Sequence, residues 1–192
     1  MLSKLKIILL LITFTFIWSC GDKTKKISEI VEVDMEMQMS DAYKEGYFEL
    51  QRGDVLLAAK KFNEAELLFP QSSWAAKSAI MAAYAYYTQD YYGDAIFELE
   101  RYLVTYPKHK DKVYAHFLLG MSFYEQIIDE TKDLKSILDS KEQFETIIRD
   151  YPSTEFAIDA KFKIDLINEI LAAKEMYIAR YYLKKTKWIP AL

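Results

Sequence analysis

The sequence predicts an all-α protein made of helical hairpins stacked in a row. The chain has 192 residues but only 5 glycines and 4 prolines, which favours long helices over a turn-rich β protein. Small residues recur at an interval of 37 positions, at Gly46, Ala83 and Gly120. Each of three amphipathic runs ends in an aromatic–proline pair: Phe69-Pro70, Tyr106-Pro107 and Tyr151-Pro152.

The N-terminus has the build of a bacterial signal peptide. Two lysines precede an apolar run at residues 7–18, which is too short to span a bilayer, since that takes about 20 residues. The run ends at Ser19-Cys20-Gly21, and a small residue before a lone cysteine resembles the lipobox of bacterial lipoproteins. We predict a signal peptide at 1–19 and lipid attachment at Cys20. The alternative is an ordinary cysteine beside an uncleaved anchor.

Residues 20–39 are predicted to form a flexible tether, because they are charged and lack aromatic side chains. Met35, Met37 and Met39 alternate with polar residues, so a short strand that pairs only on binding is the alternative. Gly21, in place of an aspartate after the cysteine, favours the outer membrane by resemblance to other lipoproteins. No cofactor is expected beyond the covalent N-terminal lipid on Cys20.

Residues 40–192 are predicted to form a tetratricopeptide-like solenoid of about four to five hairpins in a short right-handed superhelix. The first unit carries the small, aromatic and turn residues of that pattern, at Gly46, Gly53, Ala58, Phe62 and Ala65. Small residues allow two helices to cross closely, and proline cannot continue its helix. The predicted repeats are 40–72, 73–110, 111–153 and 154–192.

The third and fourth units depart from this spacing. Gly120 and Pro152 are 32 residues apart, eight more than in the earlier units, and the insertion is placed in an extended loop around 129–138. Thr154 is predicted to cap the next helix, which begins a fourth hairpin. Residues 188–192 are predicted to begin a further helix.

Four stretches in this order behind a lipoprotein signal resemble the YfiO/ComL family of outer-membrane lipoproteins, which belong to the β-barrel assembly machinery. These stretches are Ala83-Tyr84-Ala85-Tyr86-Tyr87 with Tyr91, Tyr92, Ala95 and Ile96; Arg101-Tyr102 before Tyr106-Pro107; Arg149-Asp150-Tyr151-Pro152-Ser153 with Phe156, Asp159 and Ala160; and Leu171-Ala172 with Glu175 and Arg180-Tyr181-Tyr182.

The resemblance implies a non-catalytic component of the outer-membrane assembly complex, lipid-anchored and facing the periplasm. Its implied partners are a BamA-type barrel protein, accessory lipoproteins and the C-terminal segments of unfolded outer-membrane proteins. One alternative is another periplasmic tetratricopeptide scaffold, such as a cell-division coordinator or a pilus pilotin. A lipid-anchored hydrolase is the second alternative.

In such hairpins the first helix lines the concave face, and its outward stripe follows a spacing of three and four residues. Counting from the small residues predicts a peptide-binding groove rich in tyrosine, a side chain that combines apolar contact with a hydroxyl group. The alternative is that these side chains pack only between neighbouring helices. The predicted groove residues are Tyr43, Tyr47, Ile80, Tyr84, Tyr87, Tyr114, Phe117, Met121 and Tyr124.

Other classes of function find little support in the sequence. A net charge of -4 without a basic stripe argues against nucleic-acid binding. No nucleophile elbow or phosphate-binding glycine loop is present, so no catalytic residue is predicted. His109 and His116 are seven residues apart and lack convergent partners, so no metal site is expected. Arg101, Arg149 and Arg180 are predicted to pair with carboxylates.

Overall fold

The structure, a computed structural model, describes residues 34–127 and 134–188. These ranges contain seven α-helices and no strand, which confirms the predicted all-α class. The helices are α1 (Met35–Arg52), α2 (Val55–Leu68), α3 (Ser73–Tyr87), α4 (Tyr92–Thr105), α5 (Lys112–Tyr124), α6 (Leu134–Asp150) and α7 (Glu155–Lys184).

The first six helices form three hairpins, α1–α2, α3–α4 and α5–α6, and each hairpin packs on the next through α2 with α3 and α4 with α5. The last hairpin packs through α6 against α7. Consecutive packing of this kind confirms the predicted tetratricopeptide-like stack. It also leaves the first helices of neighbouring hairpins, α1 and α3, side by side on one face.

The aromatic–proline pairs lie where the sequence analysis placed them, between one hairpin and the next. Pro70 lies between α2 and α3, Pro107 between α4 and α5, and Pro152 between α6 and α7. Proline lacks the amide that a continuing helix requires. The helix after Pro152 is capped as predicted, because the Thr154 hydroxyl accepts a hydrogen bond from the Ala157 amide at 3.3 Å.

Small residues mark the close crossings within two hairpins. An added Cβ at Gly46 would lie 3.0 Å from Phe62 Cδ1 and 3.2 Å from the Ala58 carbonyl oxygen. At Gly120 the corresponding neighbour is Phe144, at 2.9 Å from its Cε1. Gly46 and Gly120 are therefore small because a side chain at either position would collide with the aromatic ring of the second helix in its hairpin.

The core runs along the stack as connected clusters of small and aliphatic side chains. The central cluster joins the second and third hairpins and consists of Ala76, Ala79, Ile80, Ala83, Leu99, Tyr102, Ala115, Leu118 and Leu119. A further cluster joins the third hairpin to α7 and consists of Ile137, Phe144, Ile147, Ala157, Ala160 and Ile167. Burial of this apolar surface between repeats holds neighbouring hairpins together.

The first helix begins earlier than the sequence analysis predicted. The tether was placed at 20–39, but α1 begins at Met35. Asp34 caps the helix by accepting a hydrogen bond from the Glu36 amide at 3.1 Å. Met39 is only 2% exposed and packs with Ala42 against the second helix. This burial stabilises a helix where the charged composition predicted a tether and the alternating methionines offered a strand as the alternative. Residues 1–33, with Cys20 and the predicted signal peptide, lie outside the described ranges.

The helix after the insertion in the third unit begins inside the region 129–138 that the prediction placed in a loop. Helix α6 has 17 residues, against 14 in α2 and in α4. It begins at Leu134, and Ile137 is fully buried, so apolar contact extends the helix into the predicted loop. Residues 128–133 lie outside the described ranges.

The fourth unit is a single long helix in the described residues, where a hairpin was predicted. Helix α7 continues for 30 residues because no glycine or proline interrupts Glu155–Lys184. The helix predicted to begin at 188–192 falls mostly on residues 189–192, which lie outside the described ranges. Among α1–α7, none combines the length and the hydropathy of a membrane-spanning helix.

Candidate peptide-binding groove

A groove runs between α1 and α3, the first helices of the first two hairpins. Aromatic rings bridge its two walls, since the Tyr43 ring lies 5.2 Å from the Trp74 ring in an edge-on arrangement. Tyr43 also contacts Phe62 of α2, with ring centroids 5.3 Å apart, and burial raises the pKa of its hydroxyl. The groove holds two clefts, one toward each end of α1.

The first cleft, named here the acidic cleft, lies at the N-terminal end of α1 and has a volume of about 610 Å³. The Lys77 ammonium lies 4.5 Å from the centre of the Trp74 ring and 5.4 Å from that of Tyr43, so both rings already face a cation. The cleft is lined by Asp34, Glu36, Met37, Met39, Ser40, Asp41, Tyr43, Lys44 and Trp74.

The second cleft, named here the arginine cleft, lies at the C-terminal end of α1 and has a volume of about 500 Å³. Arg52 donates from Nη1 to both carboxylate oxygens of Glu49, at 3.1 and 3.2 Å. Tyr47 is 48% exposed at this end of the groove. The cleft is lined by Tyr47, Leu50, Gln51, Arg52, Gly53, Val55, Met81, Tyr84, Thr88 and Gln89.

Three of the predicted groove residues, Tyr43, Tyr47 and Tyr84, line these two clefts. Tyr87 is partly buried against the central core cluster, with its ring 5.7 Å from that of Tyr92. Ile80 is only 4% exposed and belongs to the same cluster. The structure therefore brings part of the predicted stripe to the groove and places the rest between helices.

Of the predicted residues of α5, Phe117, Met121 and Tyr124 pack toward α6 and α7, whereas Tyr114 packs against the central core cluster as well as against Phe156 of α7. Burial raises the pKa of Tyr114 to about 12, and its ring lies 5.9 Å from that of Phe156. Phe117 and Met121 are partly buried against the core cluster that joins the third hairpin to α7. Tyr124 packs there too, and the Lys163 ammonium lies 4.3 Å from its ring centre. None of these four lines either cleft.

The sequence analysis placed the stripe of α3 one residue out of register. The groove side of this helix carries Trp74, Lys77, Met81, Tyr84 and Thr88, which are spaced alternately by three and four residues. Counting instead through Ile80 selected a position one residue away, which points into the core.

A buried ion cluster joins the first two hairpins on the side of α2 and α4. Arg101 donates to the two carboxylate oxygens of Glu66 at 2.8 and 2.7 Å, and to Glu98 at 2.8 and 3.0 Å. The Tyr106 hydroxyl donates to Glu66 at 2.7 Å. Arg149 pairs with Asp150 at 2.8 Å. The predicted pairing with carboxylates is thus confirmed for these two arginines.

Each of the two histidines has polar neighbours at Nδ1, and for His109 these include the Asp111 amide, which donates to Nδ1 at 3.3 Å. His109 Nδ1 lies 2.9 Å from the Tyr102 hydroxyl, and His116 Nδ1 lies 2.9 Å from Gln143 Oε1. Burial lowers the pKa of His116, which favours its neutral form. Within residues 34–127 and 134–188, no three histidine, cysteine or acidic side chains come close enough together to hold a metal ion.

Comparison with known protein families decides the affiliation of this helical stack. The family model named YfiO, described as outer membrane lipoprotein, matches residues 35–192. The match begins at the residue at which α1 begins. The chain belongs to the YfiO family. The match covers all seven helices of this YfiO chain, in agreement with the resemblance seen in the sequence.

Relatives of this YfiO chain include three proteins named outer membrane protein assembly factor BamD. The one from Caulobacter vibrioides is 34% identical over 90% of the chain and 56% of its own length. The one from Rickettsia prowazekii is 33% identical over 90% of the chain and 67% of its own length. The one from Neisseria meningitidis serogroup A is 26% identical over 97% of the chain and 74% of its own length. The chain therefore spans little more than half of the Caulobacter relative.

Proposed function

We propose that this chain takes part in outer-membrane protein assembly, the process named for its relatives, as a non-catalytic scaffold. The groove between α1 and α3 binds the C-terminal segment of an unfolded outer-membrane protein. Cys20 carries the lipid that anchors the chain to the outer membrane, on its periplasmic side. Other surfaces of the repeat stack contact a BamA-type barrel protein and accessory lipoproteins.

The observation that carries this proposal is the tyrosine-lined groove in a member of the YfiO family. Helix α1 has 18 residues and is therefore about 27 Å long. An extended peptide rises about 3.3 Å per residue, so about eight residues fit along it. Tyrosine suits such a ligand because its ring contacts apolar side chains while its hydroxyl bonds to a peptide backbone.

A first experiment removes aromatic contact from the groove, with Tyr47 exposed and Tyr84 packed partly on the central core cluster. Tyr47→Ala and Tyr84→Ala are each expected to weaken binding of a peptide from the C-terminus of an outer-membrane barrel protein by about tenfold, in line with truncation of an aromatic residue that anchors a ligand. Isothermal titration calorimetry measures the affinity. Phe97→Ala is the matched control, because Phe97 is an aromatic residue 67% exposed on α4, outside both clefts.

Unchanged peptide affinity in both tyrosine variants, with helix content intact by circular dichroism, would contradict the groove proposal.

A second experiment tests the partners. The acylated protein is purified from membranes, and the chains bound to it are identified by mass spectrometry. Recovery of a BamA-type barrel protein supports the assembly role, whereas recovery of cell-wall or pilus components in its place contradicts it.

A further inference from the structure

Helix α7 packs on the stack with one side of its first half. Its buried residues are Ala157, Ala160 and Ile167, and no residue of the helix after Ile167 is buried. The opposite side carries exposed apolar side chains, among which Phe162 is 65% exposed. At 100° per residue these side chains share one side of the helix. This surface, named here the α7 stripe, consists of Ile158, Phe162, Leu166, Ala173, Met176 and Tyr177.

The two halves of α7 and the residues that follow it differ in charge. Residues 155–170 carry four carboxylates and two ammonium groups, a net charge of -2, whereas residues 171–188 carry five cations and one carboxylate, a net charge of +4. Glu169 and Arg180 lie on the same side of the helix as the α7 stripe. Neither forms an ion pair within the described part of the chain, and the Lys163 ammonium faces the Tyr124 ring of α5 at 4.3 Å. Glu169 and Arg180 are therefore available to a partner.

From these features we propose that α7 pairs antiparallel with α7 of a second copy of this chain. A two-fold axis between residues 174 and 175 places Glu169 opposite Arg180 of the second copy, and Arg180 opposite its Glu169. The same register sets Ala173 against Met176, a small side chain against a large one. Since the acidic half of each helix then faces the basic half of the other, the α7 stripe is complementary to itself in charge as well as in hydropathy.

The area of the α7 stripe sets the strength of this pairing. Its five large side chains are each about half exposed, and half of a large apolar side chain covers roughly 100 Å². Two copies together therefore bury about 1,000 Å², the size at which specific interfaces begin. An interface of this size predicts a dimer in equilibrium with monomer, with a Kd of about 10 μM.

The pairing goes beyond the function proposed above and does not depend on it. Helix α7 contacts α6 and α5, whereas the groove lies between α1 and α3. Joining two chains through α7 leaves the groove of each chain uncovered. The dimer thus presents two grooves to its ligands at the same time.

Sedimentation equilibrium of the full chain, in a detergent matched to the density of the solvent, measures the self-association. The wild-type chain is expected to change from monomer to dimer between about 1 and 100 μM. Phe162→Glu is expected to weaken association at least tenfold, because it places two carboxylates in an apolar contact. Phe97→Glu is the matched control, since Phe97 on α4 is 67% exposed and lies outside the α7 stripe. Circular dichroism checks that both variants keep their helix content.

Charge reversal tests the antiparallel register. Glu169→Arg and Arg180→Glu are each expected to weaken association about tenfold, because each variant places like charges opposite one another at two symmetric positions. An equimolar mixture of the two variants places opposite charges together at both positions. The mixture is therefore expected to associate about as tightly as the wild-type chain.

A wild-type chain that stays monomeric up to about 100 μM would overturn the pairing and assign the α7 stripe to a further helix or a different protein. A Phe162→Glu variant that associates like the wild type would overturn it as well. Reversed charges that leave the association unchanged, or a mixture that does not recover it, would overturn the antiparallel arrangement.

Discussion

Replacing Gly120 by alanine adds one methyl group at the crossing of α5 and α6, and the structure predicts a net loss of stability. The new Cβ would lie 2.9 Å from Phe144 Cε1 and 3.0 Å from Cζ, whereas carbon atoms attract best at about 3.5 to 4.0 Å. Phe144 is fully buried and its ring contacts that of Phe117 at 5.9 Å. The ring cannot move away without disturbing its own neighbours.

Two opposing effects set the size of the change. Overpacking a filled core lowers the free energy of unfolding by about 1 to 3 kcal/mol. Alanine is favoured over glycine inside a helix by about 0.8 to 1.0 kcal/mol. The overpacking effect is the larger one, so Gly120→Ala is expected to be less stable by about 1 kcal/mol. In Gly93→Ala only the second effect remains, since no atom lies within 4 Å of the added Cβ.

Equilibrium unfolding in urea, followed by circular dichroism, measures both variants. Gly120→Ala should unfold at lower urea than the wild type and Gly93→Ala at higher urea, with similar slopes. The double variant Gly120→Ala with Phe144→Leu should lose less stability than the sum of the two single variants, because the smaller side chain makes room for the methyl group. A Gly120→Ala variant at least as stable as the wild type would refute the reasoning.

Three further predictions concern single groups. Arg101→Met leaves Glu66 and Glu98, which are 5% and 7% exposed, without their cation. Urea unfolding should show that the free energy of unfolding falls by about 2 to 3 kcal/mol, somewhat less than for breaking a fully buried ion pair. Thr154→Ala removes the cap of α7 and should lower stability by about 1 kcal/mol in the same assay. Burial raises the pKa of Tyr114 to about 12. The stability that follows from keeping its hydroxyl neutral is complete below about pH 10 and is lost as the pH rises through about 12. Tyrosinate absorbance and the free energy of unfolding, measured over the same pH range, should show this loss.

Each of these three has an outcome that contradicts it. Wild-type stability in Arg101→Met would mean that water compensates the two glutamates. An unchanged midpoint in Thr154→Ala would mean that α7 starts without its cap. For the last prediction, a Tyr114→Phe variant serves as the control, and unfolding with the same pH dependence in both chains would show that this hydroxyl is not the group responsible.

Much of the fold followed from local chemistry that a sequence displays directly. Pro70, Pro107 and Pro152 end helices because their rings block continuation, wherever the chain then packs. Gly46 and Gly120 marked the close crossings because the recurrence of small residues is visible without coordinates. The Thr154 cap was predictable for the same reason, since a hydroxyl before a helix satisfies amides of its own first turn.

The groove was predicted less completely, because its position depends on the rotation of each helix about its own axis. A shift of one residue turns a helical stripe by about 100°, so counting through Ile80 pointed into the core while Met81 and Trp74 line the groove. Tyr114 and Phe117 meet the aromatic ring of Phe156, a contact between α5 and α7 that no local pattern of residues reveals.

By itself, the sequence determined the helical class, the positions of the prolines between repeats and the kinship with YfiO lipoproteins, because each depends on residue type and spacing along the chain. Tertiary structure alone decided that α1 starts at Met35, that α7 runs on as one helix, and which tyrosines reach the groove. The physical reason is that burial of Met39, Ile137 and Ile80 depends on contacts with other helices, which outweigh the weak local preferences at these positions.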